Sequence, residues 1–401
     1  MKLIFPSMEY LRAGGTENVV VEIAREATRT AAAEIVIMGS ANAFVVRRLQ
    51  EHSVPFELVR DTDLAHFRSQ PEDLFVHFSN HDWLARIAHL PGRAVVWCLL
   101  AHLMTGWNRF NFEQRLMGRK RLGAWLNRRL IQSLKDRNAL LAMDGATAEA
   151  IDDVAGGADT PLLPIPIDAS RAGVVEASLG CRSEPVVVTY IGRSDDVWKI
   201  YPARKLLRDL SALPFRSELE IFTDDNKPFE SMLADLTLGN VQVRYSLGVF
   251  GSALRDRIGK RSTLHVSMGM SVLEGALSGA PAALIDPSYS DHPDCYRYKW
   301  LWESPEFSLG RFVQPSESDF QGHTLEALIA RSTNSADRAE VIRHCVDYVV
   351  EHHSPERILR ALLASQTSAT NRDLVRWTPA ALPMIQSLGS VLFRHSRGTK
   401  S

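Results

Sequence analysis

The chain has 401 residues, 45% of them hydrophobic and 23% charged, an ordinary globular composition whose length exceeds what one hydrophobic core usually organises, so two domains are expected. Its 46 basic and 47 acidic side chains leave a net charge of −1, which argues against a nucleic-acid partner. The longest nearly uninterrupted apolar stretch, Val95 to Met104, contains a histidine and covers about half a bilayer, so no membrane span is expected.

The opening reads as strand, glycine loop, helix. Lys2 to Phe5 is a short β-prone run, Gly14-Gly15 breaks it, and Val20, Ile23, Ala24 and Ala27 then recur at helical spacing. Further strands are expected at Glu34 to Met38, Asp73 to Phe78, Ala94 to Leu100 and Leu140 to Met143. After an aperiodic stretch the alternation restarts, with strands at Val186 to Ile191, Leu219 to Thr223, Val241 to Tyr245, Leu264 to Ser267 and Ala282 to Asp286. Helices are expected at Pro202 to Leu210, Ser252 to Ile258, Ser271 to Ser278, Arg338 to Glu351 and Pro355 to Ala364. Strands alternating with helices imply parallel sheets covered on both faces, here two Rossmann-like, doubly wound α/β domains facing a cleft. The expected boundaries are 1–168 for the first domain, 169–184 for a linker, 185–353 for the second domain, and 354–401 for a helix and a polar, then basic tail whose end is expected to be disordered.

The most informative stretch runs from His265 to Pro281. A strand ends, Gly269 makes the turn, and a helix starts near Met270 and Ser271; Gly279 and Pro281 then stop it. Exposed N–H groups at such a helix start form an anion site suited to a diphosphate. Glu274 has two readings. In one, Ser271-x-x-Glu274 is a capping box that satisfies two orphan N–H groups. In the other, the Glu274 carboxylate accepts hydrogen bonds from ribose hydroxyls. Upstream, Gly192-Arg193-Ser194-Asp195-Asp196-Val197-Trp198-Lys199 follows a strand and carries two cations. They could neutralise a diphosphate, arginine as a planar fork and lysine as a point charge. Alternatively they belong to a solvated turn in which Asp195 and Asp196 pair with them.

These segments resemble the retaining GT-B glycosyltransferases, in particular the large group known as family four. Glu274-Gly275-Ala276-Leu277-Ser278-Gly279-Ala280-Pro281 is similar to that family's Glu-Ala-Met-Ala-x-Gly-x-Pro run, whose glutamate binds the nucleotide ribose, and Gly269 falls where the family also has glycine. The Gly-Arg … Lys segment looks like the family's own, which implies that Arg193 and Lys199 hold the donor diphosphate. Gly14 and Gly15 are similar to the family's Gly-Gly loop on the acceptor side. His102 follows a strand roughly where members carry a histidine that contacts the transferred sugar; a backbone-satisfied histidine is the other reading, and His77 and His81 are further candidates. One position departs. The family usually has a glutamate eight residues before the second one, and here that residue is Val266.

The stretch from Trp107 to Arg137 carries nine basic residues against two acidic ones. Leu122, Trp125, Leu126, Leu130 and Leu134 share one helical face, with Arg121, Arg128 and Lys135 elsewhere. Such a helix could lie on an anionic membrane surface, with Arg121, Trp125, Arg128 and Arg129 as contacts, or could be an ordinary helix with its apolar face in the core. Asp224-Asp225, Asp291 with Asp294, and His352-His353 lack a convincing metal-ligand spacing. No GxGxxG, Walker, Gly-x-Ser-x-Gly or HExxH pattern occurs. The opening residues lack a leader's apolar run, and Cys98, Cys181, Cys295 and Cys345 lie far apart; both point to the cytoplasm, with a peripheral position on the inner membrane face also open.

The resemblance implies transfer of a sugar, with retention, from a nucleoside-diphosphate-sugar donor to a saccharide or lipid-linked acceptor in glycan or cell-surface polysaccharide synthesis. It implies no cofactor and no obligatory metal. A nucleotide-sugar epimerase and a non-catalytic protein that binds a nucleotide sugar or a partner are the alternatives, the latter drawing on Val266.

Overall fold

The computed structural model describes residues 1–11, 14–78, 83–99, 120–157, 159–169, 185–194, 196–314 and 316–376, with side chains for all of these except 120–127 and 376. The chain divides into two compact units, Met1–Pro164 with Ile358–Ser401, and Ile165–Arg357. Residues 170–184 of the stretch expected as a linker, and the end of the tail, lie outside the described residues.

The first unit is built on β1 (Lys2–Met8), β2 (Glu34–Gly39), β3 (Glu57–Val59), β4 (Leu74–His77), β5 (Arg93–Cys98) and β6 (Leu140–Ala142). They form one sheet in the order β3-β2-β1-β4-β5-β6, with every pairing parallel. Runs such as Ile35-Val36-Ile37-Met38 are buried throughout, which is why they read as unbroken apolar runs rather than as alternating ones. The helix Gly15–Arg29 turns Val20, Ile23, Ala24 and Ala27 inward, the four residues whose spacing indicated it. The short strand β3 and the helix Phe44–Glu51, which buries Val45, Val46 and Leu49 at helical spacing, were not expected from the sequence.

After Ile358 the chain returns to this unit. The Ala94 N–H donates to the Ala369 carbonyl at 2.7 Å, and the Thr367 hydroxyl donates to the Ala94 carbonyl at 2.9 Å. Asn371 is fully buried and accepts from His77 Nε2 at 2.8 Å.

The second unit holds β7 (Val186–Ile191), β8 (Ser217–Thr223), β9 (Val241–Leu247), β10 (Leu264–Ser267), β11 (Ala282–Leu284) and β12 (Lys299–Trp300). Their order is β12-β11-β10-β7-β8-β9, parallel except for β12, which runs antiparallel on the edge. Glu218 and Glu220 on the buried strand β8 are tolerated because Arg261 and Arg257 meet them at 2.7 Å. Arg338, on the helix Ser335–His352, is buried as well. Its guanidinium donates to the Thr263 and Ser262 carbonyls at 2.7 and 3.1 Å, fixing the chain as it enters β10.

One helix boundary departs from expectation. Pro202 was read as a first helical residue, but the helix runs Val197–Ser211 with Pro202 inside it and buried. Proline has no N–H for the Trp198 carbonyl four residues back. The Ser288 N–H takes that carbonyl instead, at 3.3 Å, so the loop after β11 is tied to the start of this helix.

Candidate functional site

In the second unit the chain begins at β7, adds β8 and β9 on one side, then crosses to β10 and β11 on the other. The strand order therefore reverses between β7 and β10, and the carboxyl ends of those two strands flank the place where open α/β sheets bind ligands. The Ser267 hydroxyl donates to the Ile191 carbonyl at 3.1 Å and holds the two ends together. This brings the turn at Gly192 beside the turn at Gly269, although the two lie far apart in sequence.

Arg193 follows β7 after the single residue Gly192, and Lys199 stands in the first turn of the helix Val197–Ser211 rather than on a loop. The intervening loop is pinned to the end of β8, where the Ser194 N–H and hydroxyl both donate to Asp224 Oδ1 at 2.9 Å. Desolvation acts most strongly on the Asp224 carboxyl and would raise it; those hydrogen bonds outweigh it and hold the group below its usual range. Asp196 accepts from Arg193 Nη2 at 3.0 Å and from Lys199 Nζ at 2.8 Å. Its carboxyl is likewise lowered: partial burial pushes it up, and the hydrogen bond and charge of Lys199 with the charge of Arg193 override that. Asp196 thus pairs with both cations, as the solvated-turn reading expected; Asp195 lies outside the described residues. Lys199 also sits over the Trp198 ring, 4.5 Å from its centroid.

The helix Met270–Leu277 starts at a glycine cap. Gly269 has φ 57° and ψ −143°, a conformation open essentially to glycine, and an added Cβ there would meet nothing within 4 Å. Its backbone is therefore open to close approach. The Gly269 N–H is engaged with the Leu309 carbonyl at 2.7 Å, so the N–H groups left at the helix start are those of Met270, Ser271 and Val272. The capping box is absent: Gly269 is the cap, no side chain caps the helix, and Glu274 lies beyond the first turn. Glu274 instead pairs through Oε2 with Arg255 of the helix Gly251–Arg261, and Arg255 also donates to the Asp168 carbonyl at 3.3 Å.

Val266 is fully buried in β10 and pairs with Ala283, so a carboxylate counted onto that position would face the core. Only Met268 and Gly269 separate β10 from the helix, and neither carries a charge.

The other expected residues are scattered. Gly14 and Gly15 lie in the first unit, where Gly14 caps the helix Gly15–Arg29 and a Cβ at Gly15 would meet nothing within 4 Å. His102 and His81 lie outside the described residues. His77 is buried at the end of β4, and desolvation lowers it to about 4, so it is a neutral pin for Asn371 rather than an exposed sugar contact. Arg121 and Trp125 belong to the helix Lys120–Lys135, with their side chains outside the described residues. Arg128 and Arg129 are exposed on that helix, while Leu130, Ile131 and Leu134 are buried in the first unit's core. The apolar face of this half of the helix is therefore not available to a membrane. Asp291 and Asp294 are bound by Arg204 and Arg208 at 2.9 and 3.3 Å.

Sequence reasoning missed Arg255 and the Leu309 carbonyl. Nothing local marks Arg255, whose partner is on another helix; the glycine at 310, with φ +121°, was the available sign of a special turn beside Gly269.

No family profile matches the chain, and no curated protein matches it. Solved structures do. HepE from Anabaena, in complex with UDP and glucose, is 14% identical over 90% of this chain and 98% of its own, with a TM-score of 0.52. A glycosyltransferase from Rickettsia africae is 11% identical over 91% of this chain and 97% of its own, with a TM-score of 0.55. An E. coli trehalose-6-phosphate protein bound with UDP-2-fluoro glucose is 13% identical over 92% of this chain and all of its own, with a TM-score of 0.52. At these identities the likeness is one of fold, and the fold of this chain is the GT-B fold of glycosyltransferases, two Rossmann-like units in succession.

Proposed function

We propose that this protein is a retaining glycosyltransferase that moves a sugar from a nucleoside-diphosphate donor to a saccharide or lipid-linked acceptor, without an obligatory metal. The observation that carries the reading is that the ends of β7 and β10 lie side by side at the switch point, the first leading to Arg193 and Lys199 and the second to the helix Met270–Leu277. A diphosphate leaving group gains negative charge as the glycosidic bond to it breaks. Two fixed cations and a helix N-terminus aimed at that charge stabilise it without reorganisation. Glu274, on the same helix, offers a carboxylate to the ribose. Arg255 engages its Oε2, and among the described residues Oε1 has no protein hydrogen bond. Solved structures of the same fold contain UDP or a UDP-sugar, which supports the same donor class here.

Calorimetric titration of UDP, GDP and ADP into wild type and Glu274→Ala tests the site. One nucleotide is expected to bind wild type, with the variant weaker by at least about 1 kcal/mol, the scale of a hydrogen bond to a charged group. Equal binding by the variant would remove Glu274 from the site. Binding without sugar release to any acceptor would favour the non-catalytic alternative, and conversion of the donor without acceptor the epimerase.

The outward Arg128 and Arg129 support a second element of the proposal, peripheral contact with an anionic membrane, such as the inner face of a cytoplasmic membrane. With Leu130 and Leu134 in the core, the contact made by this half of the helix is electrostatic rather than insertional.

A further inference from the structure

The two cations assigned to the diphosphate already share one carboxylate oxygen, Asp196 Oδ2, at 3.0 Å from Arg193 and 2.8 Å from Lys199. Asp196 occupies the N-cap of the helix Val197–Ser211, where aspartate usually accepts hydrogen bonds from first-turn N–H groups. Here its side chain makes no cap bond. It faces the cations instead, while about a quarter of its side chain stays open to solvent, 28% by area.

Resting on the donor-site reading above, we infer that Asp196 is an exchangeable internal counter-ion: the donor diphosphate displaces it from Arg193 and Lys199, and it reclaims them when the nucleotide leaves. The uncapped helix start gives the displaced carboxylate somewhere to go. It can rotate onto the Trp198 N–H of its own first turn, the Lys199 N–H already donating to the Asp196 carbonyl at 2.9 Å, so both arrangements leave every charge partnered.

The exchange discriminates by charge. In a nucleotide sugar the terminal phosphate is esterified; in the released nucleoside diphosphate it carries a further ionisable oxygen. A carboxylate that competes for the same cations and stays beside the site after rotating repels each added negative charge, so it weakens the product more than the donor. Asp196 is thus a specificity-determining residue that favours product release and limits capture of other polyanions.

The test is Asp196→Asn, which keeps the shape and a carbonyl acceptor and removes the charge. Asp196→Ser, which retains a capping hydroxyl, serves as a second variant. Dissociation constants for UDP, GDP and ADP, and for UDP-glucose, GDP-mannose and ADP-glucose, are measured on the full chain beside wild type and Arg193→Ala. Either Asp196 variant is expected to bind the preferred diphosphate at least tenfold tighter at low salt. The gap narrows as salt rises, and the gain is larger for the diphosphate than for its sugar ester. Equal or weaker binding by both variants, or an equal gain for diphosphate and sugar ester, while Arg193→Ala loses affinity, overturns the exchange and leaves the donor site standing. If Arg193→Ala binds like wild type, or no protein binds any nucleotide, the donor site and the exchange fall together.

Discussion

Gly275 shows how one missing side chain sets the distance between a helix and the sheet beneath it. His265 on β10 lies fully buried under that glycine, where an added Cβ would overlap its ring. Its Nε2 donates to the Ser271 carbonyl at 3.0 Å, and its Nδ1 accepts from the Thr189 hydroxyl at 2.9 Å, which in turn meets Ser262 Oγ at 2.6 Å. Desolvation lowers this imidazole to about 4, so it is neutral at physiological pH. The family run that the sequence resembles has alanine at this place; here histidine beneath and glycine above compensate each other. Gly275→Ala is therefore expected to cost about 1–3 kcal/mol by overpacking. His265→Ala also destabilises, and the double variant should be less damaged than the sum of the two by more than about 0.5 kcal/mol. Urea unfolding of the four proteins checks this, and strict additivity would show that the two positions do not share one space.

Helix ends decide what the candidate site presents. The helix Met270–Leu277 begins at a glycine that no side chain caps, and the helix Val197–Ser211 begins at an aspartate that does not cap it. Both starts belong to loops after the carboxyl ends of β7 and β10; first-turn N–H groups are left for a ligand at the helix Met270–Leu277 and, in the proposed exchange, for the displaced Asp196 carboxylate at the helix Val197–Ser211. The helix Lys120–Lys135 is divided differently. Its inner residues Leu130, Ile131 and Leu134 pack into the first core, and Lys135 meets Asp152 at 2.7 Å. That leaves Arg128 and Arg129 to act through charge. Co-sedimentation with anionic vesicles at low salt is expected to retain wild type, to fall severalfold for the Arg128→Glu, Arg129→Glu double variant, and to vanish for both as salt rises. Wild type that ignores the vesicles, or a double variant that binds equally, would sink the membrane proposal.

Across the whole molecule, buried histidines couple folding to pH. Desolvation lowers His77 in the first unit, and His265, His292 and His353 in the second, to about 4 each. In the unfolded chain an ordinary histidine titrates near 6.5. Between those values the unfolded state binds the extra protons, so their contribution is full above about pH 6.5 and is lost as pH falls toward 4. The expected loss on going from pH 7.5 to 5 is on the order of 1–2 kcal/mol per histidine, and it is larger in the second unit, which holds three of the four. Urea unfolding at the two pH values measures it, and an unchanged midpoint would mean that these rings are protonated in the folded protein. In the first unit, Asn371→Ala offers a local control, because it strands His77 Nε2 in the core.

Much of this was legible in the residues alone. Unbroken apolar runs marked strands buried on both faces, the inward spacing of Val20, Ile23, Ala24 and Ala27 marked a helix, and glycine after a strand marked Gly269 as the turn into a helix. Those signals are local, carried by neighbours in the chain. The sequence left open whether Glu274 caps its helix, because Ser271-x-x-Glu274 suits both roles; the tertiary structure decided it by starting the helix at Gly269 and supplying Arg255 from another helix. It likewise decided that Pro202 lies inside a helix, where the Ser288 N–H from the loop after β11 takes up the carbonyl that proline leaves over. Pairings of this kind join residues that the chain separates and the fold brings together, and no spacing rule reaches across such a distance.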